Sequence, residues 1–167
     1  MIFDIAFAFA VSVEGGHSND PQDPGGETKF GISKKSFPSL DIAALTIDDA
    51  KKIYKKDYWD IHSLDALPPD VALCVFDAAV NQGGGAAVEM LQDALRMVNT
   101  DGVMGAKTIA ACKSMAPSYI VQEFIVRRFH RYVLTANYST YGRGWSARLV
   151  KLARVAQAVR NLYNELK

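Results

Sequence analysis

Between Val71 and Val80 the residues Val71, Leu73, Val75, Phe76, Ala79 and Val80 crowd so closely that a helix through them is apolar on most sides. Such a helix has to be central, with other elements wrapped around it. Pro68-Pro69 halts the chain before it, and Gly83-Gly84-Gly85 ends it. The cover is predicted to be helical as well. Met1–Val13 is apolar enough for a second buried helix, and Thr46 with Asp49 three residues on reads as a partial capping box opening a helix through about Trp59. Further helices are expected from about Ala86 to Met97, near Thr108, and from Pro117, which suits a first helical turn, to about Asn137. In the last helix Trp145, Leu149, Leu152, Ala156, Val159 and Tyr163 recur at alternating steps of four and three, an apolar stripe with Arg148, Lys151 and Arg154 off it. The fold class is mainly α, without a heptad run long enough for a coiled coil and without a low-complexity linker.

One stretch interrupts this pattern. From Gly15 to Gly31 the chain is dense in turn formers, with Pro21, Pro24 and the pair Gly25-Gly26. A shaped loop is expected there, with a short hairpin near Glu27–Ile32, so that loop and hairpin occupy about residues 17–32.

A chain of 167 residues with 49% hydrophobic side chains and 22% charged ones has a globular composition and buries about 70% of its unfolded surface. That suits one compact domain, or one plus a small lobe. The net charge of +1 hides an asymmetry: residues 118–167 hold nine Lys/Arg against two Asp/Glu, which leaves ten against sixteen in residues 1–117. A basic C-terminal third is drawn to a polyanion such as nucleic acid, a membrane surface or a bacterial wall, unless it is simply a solvated helix face. Cys74 and Cys112 lie in apolar helical stretches and read as buried free thiols. Neither they nor the separated His17, His62 and His130 show metal-ligand spacing, so no metal and no cofactor is implied. The apolar N-terminus lacks a basic leading region, carries Asp4, and is too short for a membrane span.

Cleaving a glycosidic bond at neutral pH requires a carboxylic acid that keeps its proton until it can pass it to the leaving oxygen. Glu14 suits that task, because it follows a long apolar helix and precedes Gly15-Gly16, which end the helix and leave room for substrate. The reaction also needs a group across the sugar ring, and Asp20 and Asp23 are the nearest candidates. They sit in Asn19-Asp20-Pro21-Gln22-Asp23-Pro24-Gly25-Gly26, whose prolines restrict the backbone. Thr28 offers a hydroxyl able to orient a water. The plainer alternative is that Asp20 and Asp23 merely initiate turns before proline. For a sugar, Tyr58 and Trp59 offer flat faces, and Asn81 and Gln82 offer amides. Trp59 and Tyr58 read equally well as core residues of a packed helix, whereas an amide at Asn81 on an apolar segment is costly unless paired.

Glu14-Gly15-Gly16, Asn19-Asp20-Pro21, Asp23-Pro24-Gly25-Gly26, Thr28 and Gly31-Ile32 together resemble glycoside hydrolase family 108. The similarity continues through Tyr58-Trp59 and Phe76-Asp77-Ala78-Ala79-Val80-Asn81. It implies a lysozyme-like fold over residues 1–84 and N-acetylmuramidase activity with Glu14 as the catalytic acid. Some members of this family were first described as secretion activators. A second stretch, Leu91-Gln92, Leu95, Asp101-Gly102, Gly105, Thr108, Gly144-Trp145 and Arg148, resembles the predicted peptidoglycan-binding region that follows in this family, here residues 85–167, packed with the first into one unit. His17 departs from the aromatic residue the family more often carries there, though an imidazole still stacks on a sugar. Similarity to phage-type lysozymes, with an aspartate nine residues after the glutamate, favours Asp23 over Asp20 and adds Thr28.

The resemblance therefore implies a bacteriolytic, endolysin-like peptidoglycan hydrolase acting on glycan strands, a monomer made in the cytoplasm without a recognisable signal peptide and working in the periplasm or wall after release by a holin or an export system. The rival readings are a lytic transglycosylase, a wall-binding or secretion-assisting protein without catalysis, and a nucleic-acid binder. The last is disfavoured by the absence of any nucleic-acid motif in the basic third.

Overall fold

The computed structural model of the chain describes residues 2–14 and 26–166, with the side chains of Val13 and Glu14 outside that description. Among the described residues the elements are α1 (Ile2–Glu14), a two-stranded hairpin of β1 (Thr28–Lys29) and β2 (Ile32–Ser33), α2 (Ile47–Tyr54), α3 (Pro69–Gln82), α4 (Gly84–Ala94), α5 (Ala106–Ser114), α6 (Pro117–Val133) and α7 (Tyr138–Glu165). The chain is mainly α with a minimal antiparallel sheet, as the sequence pattern requires.

Helix α3 is the axis of the molecule. Asp70 through Ala79 are ten consecutive buried residues, and the helix packs against α1, α4, α6 and α7. One apolar core runs through the molecule, joining Ala6 and Ala10 of α1 and Phe76 of α3 to Leu91 of α4, Phe124 of α6 and Leu152 of α7. Among the described side chains of α1 only the line Asp4, Ala8, Ser12 is exposed, each four residues after the last, and Asp4 pairs with Lys51 at 2.5 Å. That pairing, chiefly the hydrogen bond from Lys51, holds the Asp4 carboxyl at about 2.

The Thr46–Asp49 capping box is present in both directions: the Asp49 amide donates to the Thr46 hydroxyl at 3.2 Å, and the Thr46 amide donates to the Asp49 carboxylate at 3.4 Å. Helix α2 then widens into a π-helical turn over Lys55–Asp60, which carries the chain through Tyr58 and Trp59. The hairpin pairs Thr28 with Ser33 and Lys29 with Ile32, and its two-residue turn places Phe30 and Gly31 at φ of 54° and 77°. Phe30 tolerates this backbone because the Tyr54 hydroxyl donates to its carbonyl at 3.0 Å and fixes it.

Three helix boundaries differ from expectation. The triple glycine is not a long turn: Gly83 alone, at φ 91°, redirects the chain, and α4 starts at once with Gly84. Gly84 is glycine for a packing reason, since a Cβ there would fall on the His62 imidazole. Helix α4 stops at Ala94 rather than near Met97 because Arg96 takes a left-handed φ of 56°. Helix α6 ends at Val133, and a short turn at residues 134–137 lets α7 begin at Tyr138, so Trp145 lies two turns inside a helix of 28 residues.

Candidate functional site

Glu14 is the last residue of α1, in helical register with Ala6 and Ala10, both without solvent contact. His17, Asp20 and Asp23 lie outside the described residues. Thr28 is described: its hydroxyl donates to the Gly26 carbonyl at 3.1 Å, which fastens the end of the loop to the first strand of the hairpin.

The predicted sugar-binding residues separate into two groups. Trp59 is 1% exposed, its indole N–H donates to Asp65 at 2.9 Å, and its ring meets Phe3 and Phe76 edge-on at 5.4 and 5.6 Å. It is a core residue, and no face of it is open to a sugar. Tyr58 is partly buried against Tyr54, with ring centroids 5.4 Å apart. Asn81 and Gln82 belong to a different cluster at the C-terminal end of α3. Asn81 is exposed rather than buried, and its side-chain oxygen accepts a hydrogen bond from the Tyr132 hydroxyl. Gln82 accepts from Arg128 Nε at 2.9 Å.

That cluster rests on Asp77, a carboxylate without solvent access in the middle of α3. Arg128 of α6 donates to one of its oxygens at 2.6 Å, and Arg148 of α7 donates to the other at 2.8 Å. Arg128 also donates to the Tyr132 hydroxyl at 3.0 Å, so one guanidinium serves Asp77, Gln82 and Tyr132 together. Burial pushes the Tyr132 phenol up, so its hydroxyl keeps its proton and donates to Asn81. Arg148, placed by the stripe pattern on an open face, is in fact buried, because a buried carboxylate draws cations to it from both neighbouring helices. A second pair repeats the arrangement one end along: Asp70, buried near the start of α3, accepts from Arg160 at 2.6 Å.

The polar residues of the 91–108 stretch build a loop. The buried Gln92 donates to Asp101 at 2.7 Å, to the Val103 carbonyl at 3.1 Å and to Thr108 at 3.2 Å, and it accepts from the Gly102 amide at 3.0 Å. Its amide holds the Asp101 carboxyl below the usual range. Cys74 and Cys112 are buried free thiols, and burial pushes Cys112 up to about 12. Among the described residues no group of three or more His, Cys, Asp or Glu side chains is arranged to hold a metal ion, and no helix is long and apolar enough to cross a membrane.

The family model described as Glycosyl hydrolase 108 matches residues 7–83, and the one described as Predicted Peptidoglycan domain matches residues 86–150. A solved structure, that of Brucella abortus SagA, is similar over 95% of this chain and 95% of its own, with 34% identity and a TM-score of 0.86. The chain belongs to the glycosyl hydrolase 108 family. No curated protein matches it. In this family member only Gly84-Gly85 separates the two matched segments, and the Asp77 network crosses between them: Asp77, Asn81 and Gln82 lie in the hydrolase segment, and Arg128, Tyr132 and Arg148 in the peptidoglycan segment. The sequence signal for this network was the lone acid inside the apolar run of α3.

Proposed function

We propose that the chain is an N-acetylmuramidase that hydrolyses the β-1,4 bond between N-acetylmuramic acid and N-acetylglucosamine in bacterial peptidoglycan, with Glu14 as general acid. The observation that carries this reading is the membership of residues 7–83 in a glycosyl hydrolase family, with Glu14 closing the buried helix of that segment. A glutamate there has an apolar helix on one side and two glycines on the other, which suits an acid that must stay protonated yet reach substrate. In the reaction Glu14 protonates the leaving glycosidic oxygen as the C1–O bond breaks. Asp23, or Asp20, stabilises the oxocarbenium-like carbon, and water completes the hydrolysis. A separation of about 5 Å between the two carboxyl groups would give retention, and roughly 6.5–9.5 Å inversion. The chain would act on glycan strands in the periplasm or wall, as a monomer reached through export or holin-type release.

The test is Glu14→Gln. The variant should melt like the wild type while its clearing of purified sacculi falls by about 10²–10⁴-fold. Mass spectrometry of the wild-type digest should find muramic acid at the new reducing ends. Near wild-type clearing by Glu14→Gln removes Glu14 from the role, and anhydromuramic ends replace hydrolysis by transglycosylation.

A further inference from the structure

At the α6–α7 turn five aromatic residues assemble, four of them with solvent access and the fifth, Tyr132, buried. Trp145 stacks on Tyr132 with centroids 4.9 Å apart and planes 22° from parallel. Tyr141 lies 5.8 Å from Trp145 and Tyr138 6.4 Å from it, and Phe129 meets Tyr138 edge-on at 6.3 Å. The cluster is not a sealed core like the one around Trp59. Tyr141 is 55% exposed and Phe129 43%, and Trp145 is only partly buried. Exposed rings gathered in one place are a recognition feature, because folding gains little from leaving them in water.

We propose that this surface is a glycan-binding platform, separate from the bond-cleaving carboxylates, that stacks the apolar faces of wall sugars on Tyr141 and Trp145. The proposal rests on the reading of the substrate as peptidoglycan. Three observations favour a sugar. Tyr141 and Trp145 both keep solvent access, with centroids 5.8 Å apart and ring planes 33° apart, so together they offer aromatic surface to the apolar face of a pyranose. Its inner edge carries a side-chain amide: Asn81 is exposed, its oxygen is taken by Tyr132, and its amide N–H groups suit the acetamido oxygens of wall sugars. The surface is also held rigid from beneath. Tyr132 is fixed between Arg128 and Asn81, Arg128 is anchored on the buried Asp77, and the Arg128 guanidinium lies 5.7 Å from the Tyr132 ring centroid. A preorganised ring costs little conformational freedom on binding. Gly142 contributes by absence: a Cβ there would stand 2.7 Å from the Tyr138 ring, which therefore lies flat on the α7 backbone. All five aromatic residues fall within the segment 86–150.

The chain's two tryptophans make the test direct, because Trp59 is sealed in the core and Trp145 reports on the platform. Glycan strands stripped of stem peptides by an amidase are titrated into Glu14→Gln while indole emission is followed. A saturable change is expected, absent in the added Trp145→Phe variant. Adding Tyr141→Ala should weaken binding by about two- to tenfold with an unchanged melting temperature. Gly142→Ala, which displaces Tyr138, should weaken binding as well. Unaltered affinity in Tyr141→Ala and Trp145→Phe, measured by calorimetry, overturns the platform. So does a response confined to free stem peptides or to anionic phospholipid vesicles. Residual hydrolysis by Glu14→Gln overturns only its catalytic assignment, since the Tyr141 comparison reads binding independently.

Discussion

Replacing Asp77 by Asn removes the charge that two arginines share in the interior. In the native chain the carboxylate and the Arg128 side chain have no solvent access, and Arg148 is 9% exposed. An amide of the same shape keeps one acceptor but leaves two guanidiniums uncompensated where water cannot reach them. Breaking a buried pair from one side costs about 3–5 kcal/mol. That is at least about a fifth of the roughly 5–15 kcal/mol by which a domain is stable. For a chain of this size the cost corresponds to a fall in melting temperature on the order of 10 °C. The structure also supplies a graded control. Asp70 is equally buried but its partner Arg160 is 26% exposed, whereas Asp93, paired with Arg127 at 2.7 Å, is 62% exposed. Thermal and urea unfolding of the three Asp→Asn variants should therefore rank Asp77 above Asp70 above Asp93, with Asp93→Asn costing about 1 kcal/mol or less. A loss for Asp77→Asn no larger than for Asp93→Asn would refute the reasoning, because the penalty is assigned to burial and not to the number of bonds.

Two further predictions concern single side chains. Burial lowers the His62 pKa, so the folded state disfavours its proton: its contribution to stability is whole above the unfolded value of about 6.5 and declines as pH falls toward the lowered folded value. Melting temperatures between pH 7.5 and 5 should fall less steeply in His62→Gln than in the wild type, and identical slopes would count against this. Gln92→Ala should cost about 1–3 kcal/mol in urea unfolding, since it strips partners from a buried hydroxyl and a loop amide. It should also raise the Asp101 pKa seen by NMR, and an unmoved Asp101 would show that another group sets it.

The helical skeleton was legible because its signals are local. Crowded apolar residues at Val71–Val80 announced a central helix, and Thr46 with Asp49 announced a cap that the structure closes in both directions. Boundaries set by tertiary contact were not legible. The sequence around Gly84 says turn, yet the residue opens a helix because the His62 imidazole occupies the place of a Cβ. Trp59 offered a flat face on paper, but the π-turn after α2 carries it inward, where Asp65 takes its N–H. At the site, Asn81 and Gln82 were recognisable as polar residues at the end of an apolar helix. Their partners, Arg128 and Tyr132, lie 46 and 51 residues further along, and no local periodicity connects them.

The charge asymmetry between the two parts of the sequence takes on a different meaning in the fold. A basic C-terminal third suggests attraction to a polyanion, but Arg127, Arg128, Arg148 and Arg160 are committed to Asp93, Asp77 and Asp70 on α4 and α3. The excess of acid before residue 118 and the excess of base after it are, in good part, two sides of the same internal contacts. Two of the four, Arg128 and Arg148, tie the peptidoglycan segment to Asp77 on the helix at the centre of the hydrolase segment. Arg131, Arg143, Lys151 and Arg154 remain exposed, so some long-range attraction persists, but it is weaker than the sequence count implies. Contact between the proposed platform and the apolar face of a pyranose depends more on shape than on charge. The same network that uses up the arginines is the one that holds Tyr132, and through it Trp145, in place at the surface.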